Sequence, residues 1–184
     1  MKYDLLTGKR IRLVRPVEDD INTMLRWYDD MEFMRNLDTD VAYPEGGKGI
    51  EKMIASGFGG KDVWFHIRKI ETGELIGFVA LDGIQWNNGN CMLSIGIGEK
   101  KNRSRGYGKE AMHLMLDYAF RELNLHRVGL NFIDYNGLAE NMYISCGFVR
   151  EGVIREFVHR DNEYYDLIYM GILRGDWEKF AAVP

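Results

Sequence analysis

A long amphipathic helix is predicted in the middle of the chain, between two apolar segments with the composition of strands. Residues 106–123 place apolar side chains at helical spacing and polar side chains on the opposite face. The segments before and after it are CMLSIGIG (91–98) and RVGLNFI (127–133). A strand–helix–strand unit of this kind predicts one crossover connection within a sheet. The apolar face of the helix consists of Met112, Met115, Leu116, Ala119, Phe120 and Leu123.

The segments on either side of this unit are typical of hairpins. The strands VWFHIRKI (63–70) and LIGFVALDGI (75–84) are joined by the turn ETGE, and two tail strands meet near Asp161 and Asn162. We therefore predict an α+β fold, with a mixed, mostly antiparallel twisted sheet and flanking helices. Another helix is predicted over 17–33, with acidic residues in its first turn, and a short one near Ile50–Ser56. A further helix is predicted over Leu138–Cys146, where Gly147 would adopt a left-handed conformation and end it.

Composition limits the class of protein. The chain has 184 residues, of which 46% are hydrophobic, which is enough for one sizeable core, so we expect a single domain over residues 1–184. A net charge of −4 argues against binding nucleic acid or anionic membrane through bulk charge. There is no long apolar run or signal-peptide core, and Cys91 and Cys146 do not make a disulfide framework. We therefore expect a soluble, cytoplasmic protein.

The loop before the central helix, within NRSRGYGKEA (102–111), concentrates positive charge around two glycines. Residues 100–109 contain several lysines and arginines and no acid. Gly106 and Gly108 leave the main chain open, and the helix N-terminus offers unpaired N–H groups and the positive end of the helix dipole. This pattern predicts a site for a di- or polyphosphate. A solvated loop with a glycine-assisted turn is the alternative.

Two other phosphate-binding motifs fit this loop poorly. A Walker loop requires Ser or Thr after Gly-Lys, but Lys109 is followed by Glu110. GYGKEA matches the GxGxxA dinucleotide fingerprint, and Asp134 follows the next strand, but the segment EKKNRSR separates Gly106 from the preceding strand. A hydride-transfer enzyme is therefore the weaker interpretation.

A second short helix, within NGLAENMYISCGF (136–148), carries a polar group at each end of one face. Asn136 suits an N-cap, and Tyr143 lies on the same helix face about 10 Å further along at about 1.5 Å per residue. The small side chain of Ala139 leaves a shallow groove between them on the helix face. A slender ligand arm could lie in this groove and contact the amide of Asn136 and the phenol of Tyr143. A capped helix with a half-buried tyrosine is the alternative.

Together these segments resemble the GNAT superfamily of acyl-CoA-dependent N-acetyltransferases. RSRGYG matches the Q/R-x-x-G-x-G/A signature, and NGLAENMYISCGF is similar to the N-x-x-A-x-x-x-Y-x-x-x-G-F element. LRWYDDMEFMRNL, LNLHRV, GFVREGVIRE and YYDLIYMGIL are similar to the branch that holds ribosomal-protein N-terminal acetyltransferases and spermidine acetyltransferases. The resemblance covers most of the chain and implies a GNAT-like fold whose two central strands splay apart.

The resemblance also implies acetyl-CoA as cosubstrate and a place for it. The pantetheine arm would lie between the splayed strands against main-chain groups of Ile95 and Ile97, and a backbone N–H nearby would polarise the thioester carbonyl. The acceptor amine would attack directly in a ternary complex, and Tyr143 would protonate the departing thiolate. The implied pyrophosphate-binding residues are Arg103, Ser104, Arg105, Gly106, Tyr107, Gly108 and Lys109.

Acids and aromatic residues gather near the end of the first predicted helix. Trp27, Tyr28, Asp29 and Glu32 would suit a cationic amine such as a polyamine, an aminoglycoside or a peptide N-terminus. A solvated helix end with Trp27 in the core fits the same residues. The acceptor therefore stays open between a small amine and a protein N-terminus.

The residue that accepts the ammonium proton is not identified by the sequence. Asp82 and Glu99, near strand ends, are candidates, but both are also typical of ordinary surface carboxylates, and a water chain would serve as well. Cys146 follows a helix C-terminus, which does not lower a thiol pKa, so we interpret it as a core thiol rather than an acetyl carrier.

Two further expectations concern ligands and partners. The histidines are scattered without metal-ligand spacing, so we predict no metal. A homodimer is expected from the family resemblance, and the apolar tail hairpin would support it. The rival function is a non-catalytic module that senses acyl-CoA, although Tyr143 argues against it because a sensor needs no proton donor.

Overall fold

A mixed sheet runs through the computed structural model, which describes residues 4–44, 46–56 and 58–181. The strands are β1 (Ile11–Val14), β2 (Phe58–Gly59), β3 (Asp62–Lys69), β4 (Leu75–Gln85), β5 (Asn90–Ile97), β6 (Arg127–Ile133), β7 (Val149–Arg160) and β8 (Glu163–Leu173). The α-helices are α1 (Ile21–Tyr28), α2 (Met31–Leu37), α3 (Gly47–Ser56), α4 (Tyr107–Asp117), α5 (Gly137–Ile144) and α6 (Arg174–Ala181).

The strand order confirms the predicted α+β fold and its central crossover. The strands lie in the order β1-β3-β4-β5-β6-β8-β7, and the short β2 pairs with β3. Within the described ranges, every pair of named strands is antiparallel except β5 and β6, which α4 connects. None of the described helices is both long and apolar enough to cross a membrane.

The parallel strands β5 and β6 separate after only three paired positions. Their register runs from Asn90 opposite Arg127 to Met92 opposite Gly129 and stops there. Strand β5 nevertheless continues to Ile97, and β6 stays paired with β8 on its other side. The gap between the two strands therefore widens toward the N-terminus of α4, as predicted for a splayed pair.

The predicted apolar face of the central helix is buried against the sheet. Met112, Met115 and Phe120 are fully buried there. The helix begins one residue after Gly106, whose φ of +80° is left-handed, and its last turns widen into a π-helix over Tyr118–Glu122. The sequence placed the helix correctly but gave no sign of this change in winding.

The prediction of one continuous helix over 17–33 was wrong, because the chain breaks between α1 and α2. Asp30 lies at the break with φ −82° and ψ 103°, and its Oδ1 accepts hydrogen bonds from the N–H groups of Glu32 (3.0 Å) and Phe33 (3.4 Å). Asp30 thus starts a new helix rather than continuing the first. The bend packs Phe33 against the same cluster as Trp27 and Tyr28.

A buried ion-pair cluster fixes the position of α1 on the sheet. Asp20, just before the helix, lies 2.6 Å from Nδ1 of His66 on β3, and it also accepts a hydrogen bond from Arg68. Burial lowers the pKa of His66, so its ring is neutral in the folded protein at neutral pH. Removing Asp20 would leave a buried imidazole and a guanidinium without their carboxylate partner.

The tail contains the predicted hairpin and one helix that the sequence analysis missed. Asp161 and Asn162 adopt φ of +55° and +61° between β7 and β8, as a tight hairpin turn requires. Helix α6 follows β8 and buries Trp177 against Phe120, with 5.1 Å between ring centroids. The segment is short and mostly polar, so its helical period was not evident.

Candidate functional site

Two adjoining pockets lie at the gap between β5 and β6, and residues of α2, α4 and α5 line both of them. The outer pocket lies toward the loop before α4, and the inner pocket lies toward β4 and β6. The two pockets adjoin each other, because residues on four elements and in the turn before α5 line both of them. The shared residues are Asn36, Leu37, Ile95, Ile97, Gly108, Asn136, Ala139 and Met142.

The outer pocket ends at the exposed N-terminus of α4. The N–H of Glu110 bonds to the carbonyl of Gly106 at 3.1 Å, so the N–H groups of residues 107–109 precede the first helical hydrogen bond. Ser104 (φ +55°) and Gly106 (φ +80°) turn the chain sharply there. A Cβ on Gly108 would lie 3.1 Å from the sulfur of Met142, so its glycine keeps α4 and α5 close. These features fit an anion at the helix end.

Acids from elsewhere in the chain neutralise much of the loop's positive charge. Lys100 and Arg103 pair with Glu32 at 2.6 and 3.2 Å, and Lys101 contacts two further carboxylates. Lys109 lines the outer pocket and makes no ion pair in the part of the chain that the structure describes. Lys109 is thus the loop cation best placed to meet an anion in the pocket.

Arg103 holds the end of β5 against α2. Its Nε donates to the carbonyl of Ile97 at 3.1 Å and its Nη2 to that of Gly98 at 2.6 Å. The guanidinium also lies over the ring of Phe33, 5.7 Å from the centroid. These contacts are structural, and a phosphate contact by Arg103 stays a prediction.

Arg10 makes contacts that position the loop before α4 from the side opposite Arg103. These contacts were not predicted from the sequence. The main-chain N–H of Arg10 donates to Glu110 Oε1 at 2.7 Å, and the guanidinium of Arg10 pairs with Oε2 at 3.0 Å. The same side chain donates to the carbonyl of Arg105 at 2.9 Å. About a hundred residues separate the partners, so no local pattern could have revealed the contact.

Tyr143 lines the inner pocket, and its ring is packed between aromatic neighbours. The side chain is only 8% exposed and lies beside Phe132 and Phe148, with centroid distances of 5.7 and 6.2 Å. Its hydroxyl makes no hydrogen bond to any described residue. Burial raises the pKa of Tyr143 to about 12, so the phenol keeps its proton at neutral pH. Asn136 caps the same helix, as predicted, by accepting from the N–H of Ala139 at 3.3 Å.

Asp82 lies in the inner pocket, whereas Glu99 does not. Ser94 on β5 donates to Oδ2 of Asp82 at 2.8 Å, and burial raises the pKa of this half-buried carboxyl. Glu99 lies on the surface near Arg26 (3.8 Å) and Lys101 (3.4 Å) and lines neither pocket. The structure thus separates the two candidate bases that the sequence left equal.

Several residues singled out from the sequence lie outside the two pockets. Trp27 and Tyr28 are core residues, 1% and 4% exposed, and Asp29 lines neither pocket, which leaves Glu32 as the member of that group beside the cavity. Arg105 and Tyr107 also lie outside the lining. The predicted residues that line the cavity are Ile95, Ile97, Arg103, Ser104, Gly106, Gly108, Lys109, Asn136 and Tyr143.

The two cysteines carry no reactive thiolate. Cys146 is fully buried, and burial raises its pKa to about 11, which agrees with its interpretation as a core thiol. Cys91 is also buried, with a pKa raised to about 12. Among the residues that the structure describes, no group of His, Cys, Asp or Glu side chains is arranged to hold a metal ion.

Solved structures with this fold include spermidine N-acetyltransferase from Vibrio cholerae in complex with CoA and spermine. Its similarity to this chain gives a TM-score of 0.84 at 23% sequence identity, over 93% of this chain and 99% of that one. A Bacillus anthracis acetyltransferase of the GNAT family gives a TM-score of 0.79 at 19% identity, over 92% and 98% of the two chains. These likenesses establish the fold.

Proteins similar to this chain in sequence carry the names of N-acetyltransferases. An uncharacterized N-acetyltransferase from a Bacillus subtilis prophage is 23% identical over 94% of both chains. Spermidine N(1)-acetyltransferase of Vibrio cholerae is 32% identical over 56% of this chain and 59% of its own length. The ribosomal protein uS5-alanine N-acetyltransferase of Escherichia coli is 23% identical over 64% and 61%. Residues 10–149 match the acetyltransferase (GNAT) domain model, and the chain therefore belongs to the GNAT family of N-acetyltransferases.

Proposed function

We propose that this protein transfers the acetyl group of acetyl-CoA to a primary amine by direct attack in a ternary complex. The observation that carries the proposal is the pair of adjoining pockets at the β5–β6 gap. The outer pocket lies at the N-terminus of α4, where the first helical hydrogen bond begins at Glu110, and Tyr143 lines the inner pocket. A long cosubstrate with an anionic end and a reactive end would span both.

The residues of the outer pocket fit the cosubstrate's phosphates and arm. The N–H groups at the start of α4 and the amine of Lys109 would hold the pyrophosphate. The edge of β5 beyond Met92 is unpaired with β6, so main-chain groups around Ile95 and the N–H of Ile97 would face an extended ligand arm, whereas the carbonyl of Ile97 already accepts from Arg103. Acetyl-CoA supplies the activated acyl group when bound.

Tyr143 is the proposed acid that protonates the leaving sulfur. Its phenol stays protonated at neutral pH and has no competing partner among the described residues, so its proton is available to a thiolate in the inner pocket. Release of neutral thiol makes the transfer harder to reverse. A non-catalytic acyl-CoA sensor would not need the Tyr143 phenol as a proton donor.

The acceptor class is proposed as a polyamine-like small amine or a peptide N-terminus. The relatives include a spermidine N(1)-acetyltransferase and a ribosomal protein uS5-alanine N-acetyltransferase, and these names support a small amine and a protein amine as acceptors. Asp82 and Asp38 line the inner pocket and would attract a cationic amine of either kind. A homodimer and a cytoplasmic location also stay predictions.

A panel of amines and peptides tests this function directly. We expect acetyl-CoA with spermidine, other polyamines or Ala- and Ser-initiated peptides to release free thiol, with mass spectrometry identifying an acetylated amine. Acetyl-CoA without acceptor is the control for hydrolysis. Tight binding of acetyl-CoA with no acetylated product across the panel would favour the sensor.

A further inference from the structure

We propose that Asp82 is the general base that takes the proton from the acceptor ammonium, an inference that rests on the proposed acetyl transfer. Asp82 on β4 and Tyr143 on α5, two elements on different sides of the β5–β6 pair in the chain's topology, line the same inner pocket. A nucleophilic nitrogen that enters this pocket would therefore meet both a carboxylate and a proton donor.

A hydrogen bond to one of its two oxygens orients the carboxylate of Asp82. Ser94 lies diagonally across from it, because Asp82 pairs with Met92 and Ser94 pairs with Ala80 in the antiparallel ladder. The Ser94 hydroxyl donates to Oδ2 at 2.8 Å, and within the described residues Oδ1 has no hydrogen-bond partner. One oxygen thus fixes the rotamer, and the other remains available to an ammonium proton.

The surroundings make Asp82 a better proton acceptor than an exposed aspartate. Burial is the largest cause of its raised pKa, and Asp62 on β3 adds to it, while the Ser94 hydrogen bond opposes the shift. The other ionisable groups around it are Asp38 of the inner pocket, Tyr143 and the buried thiol of Cys91 on β5. No cation among these groups would hold Asp82 permanently in an ion pair.

The proposed steps conserve protons and bonds. The ammonium gives one proton to Asp82, which later releases it to solvent. The neutral nitrogen bonds to the acetyl carbon, and the carbon–sulfur bond breaks. Tyr143 gives its proton to the sulfur and regains one from the nitrogen, so the products are an N-acetyl amide, a thiol and one released proton.

Asp82→Asn is expected to lower kcat/KM about a hundredfold at neutral pH for whichever acceptor the wild type acetylates. Because Asp82 acts on the ammonium form, wild-type kcat/KM should be flat with pH between the pKa values of Asp82 and the amine. The variant must wait for amine that is already neutral, so its kcat/KM should rise about tenfold per pH unit over that range. Glu99→Gln is the control, and it should keep the wild-type rate and profile.

Calorimetry and thermal unfolding separate this role from a structural one. Acetyl-CoA affinity and melting temperature of Asp82→Asn should equal those of the wild type. A uniform loss with an unchanged pH profile, a change in KM alone, or full activity would overturn the assignment while leaving the acetyltransferase function intact. A wild type that binds acetyl-CoA but acetylates no amine would overturn both.

Discussion

Replacing Tyr143 with phenylalanine is expected to lower turnover about a thousandfold, because the variant cannot protonate the leaving thiolate. Acetyl-CoA affinity should stay within about twofold, since the proposed pyrophosphate site is in the outer pocket, which Tyr143 does not line. The ring keeps its packing against Phe132 and Phe148, and the hydroxyl gives up no hydrogen bond to a described residue. Thermal unfolding should therefore be unchanged. Thiol release and calorimetry measure the two effects.

Tyr164→Phe provides a matched control for this substitution. Tyr164 is 61% exposed on β8, and it lines neither pocket. Its variant should keep wild-type turnover. If Tyr143→Phe were equally active, the tyrosine would be a packing residue, and another group would have to protonate the sulfur.

Gly108→Leu is expected to weaken acetyl-CoA binding about a hundredfold or more, equivalent to about 2.7 kcal/mol. Gly108 lines both pockets, and a Cβ there already approaches the sulfur of Met142 at 3.1 Å. The remainder of a leucine side chain would therefore enter the cavity. Leucine is a better helix former than glycine, so the helix itself should not be weakened. Calorimetric titration measures the affinity.

The same substitution at Gly175 controls for the general effect of a leucine on a helix. Gly175 lies on α6, and a Cβ at that position would meet no atom within 4 Å. Gly175→Leu should bind acetyl-CoA as the wild type does. Equal affinity in Gly108→Leu would mean that the ligand does not occupy the space beside Gly108 in the two pockets.

Local patterns were sufficient for the central part of the fold. The period of the central helix, the strand before it and RVGLNFI (127–133) located the crossover, because burial on one face leaves a regular spacing in the sequence. The break between α1 and α2 was missed because an aspartate within a helical period does not reveal its own backbone dihedrals. At Asp30 the side chain caps a new helix instead.

Contacts between residues far apart in the sequence determine the features of the site that could not be predicted from local sequence patterns. The loop before α4 appears strongly basic in sequence, but Glu32 of the distant α2 pairs with Lys100 and Arg103. Asp82 and Glu99 were equivalent as isolated carboxylates. Only the strand register, which brings Ser94 beside Asp82, distinguishes the one in the pocket.

A crystal structure of the protein with acetyl-CoA would test the central claim, that the β5–β6 gap is the cosubstrate site. We expect the pyrophosphate at the N–H groups of residues 107–109, the arm along β5 at Ile95 and Ile97, and the sulfur beside the Tyr143 hydroxyl. Acetyl-CoA bound at another surface, or an empty gap at a saturating concentration, would contradict the account.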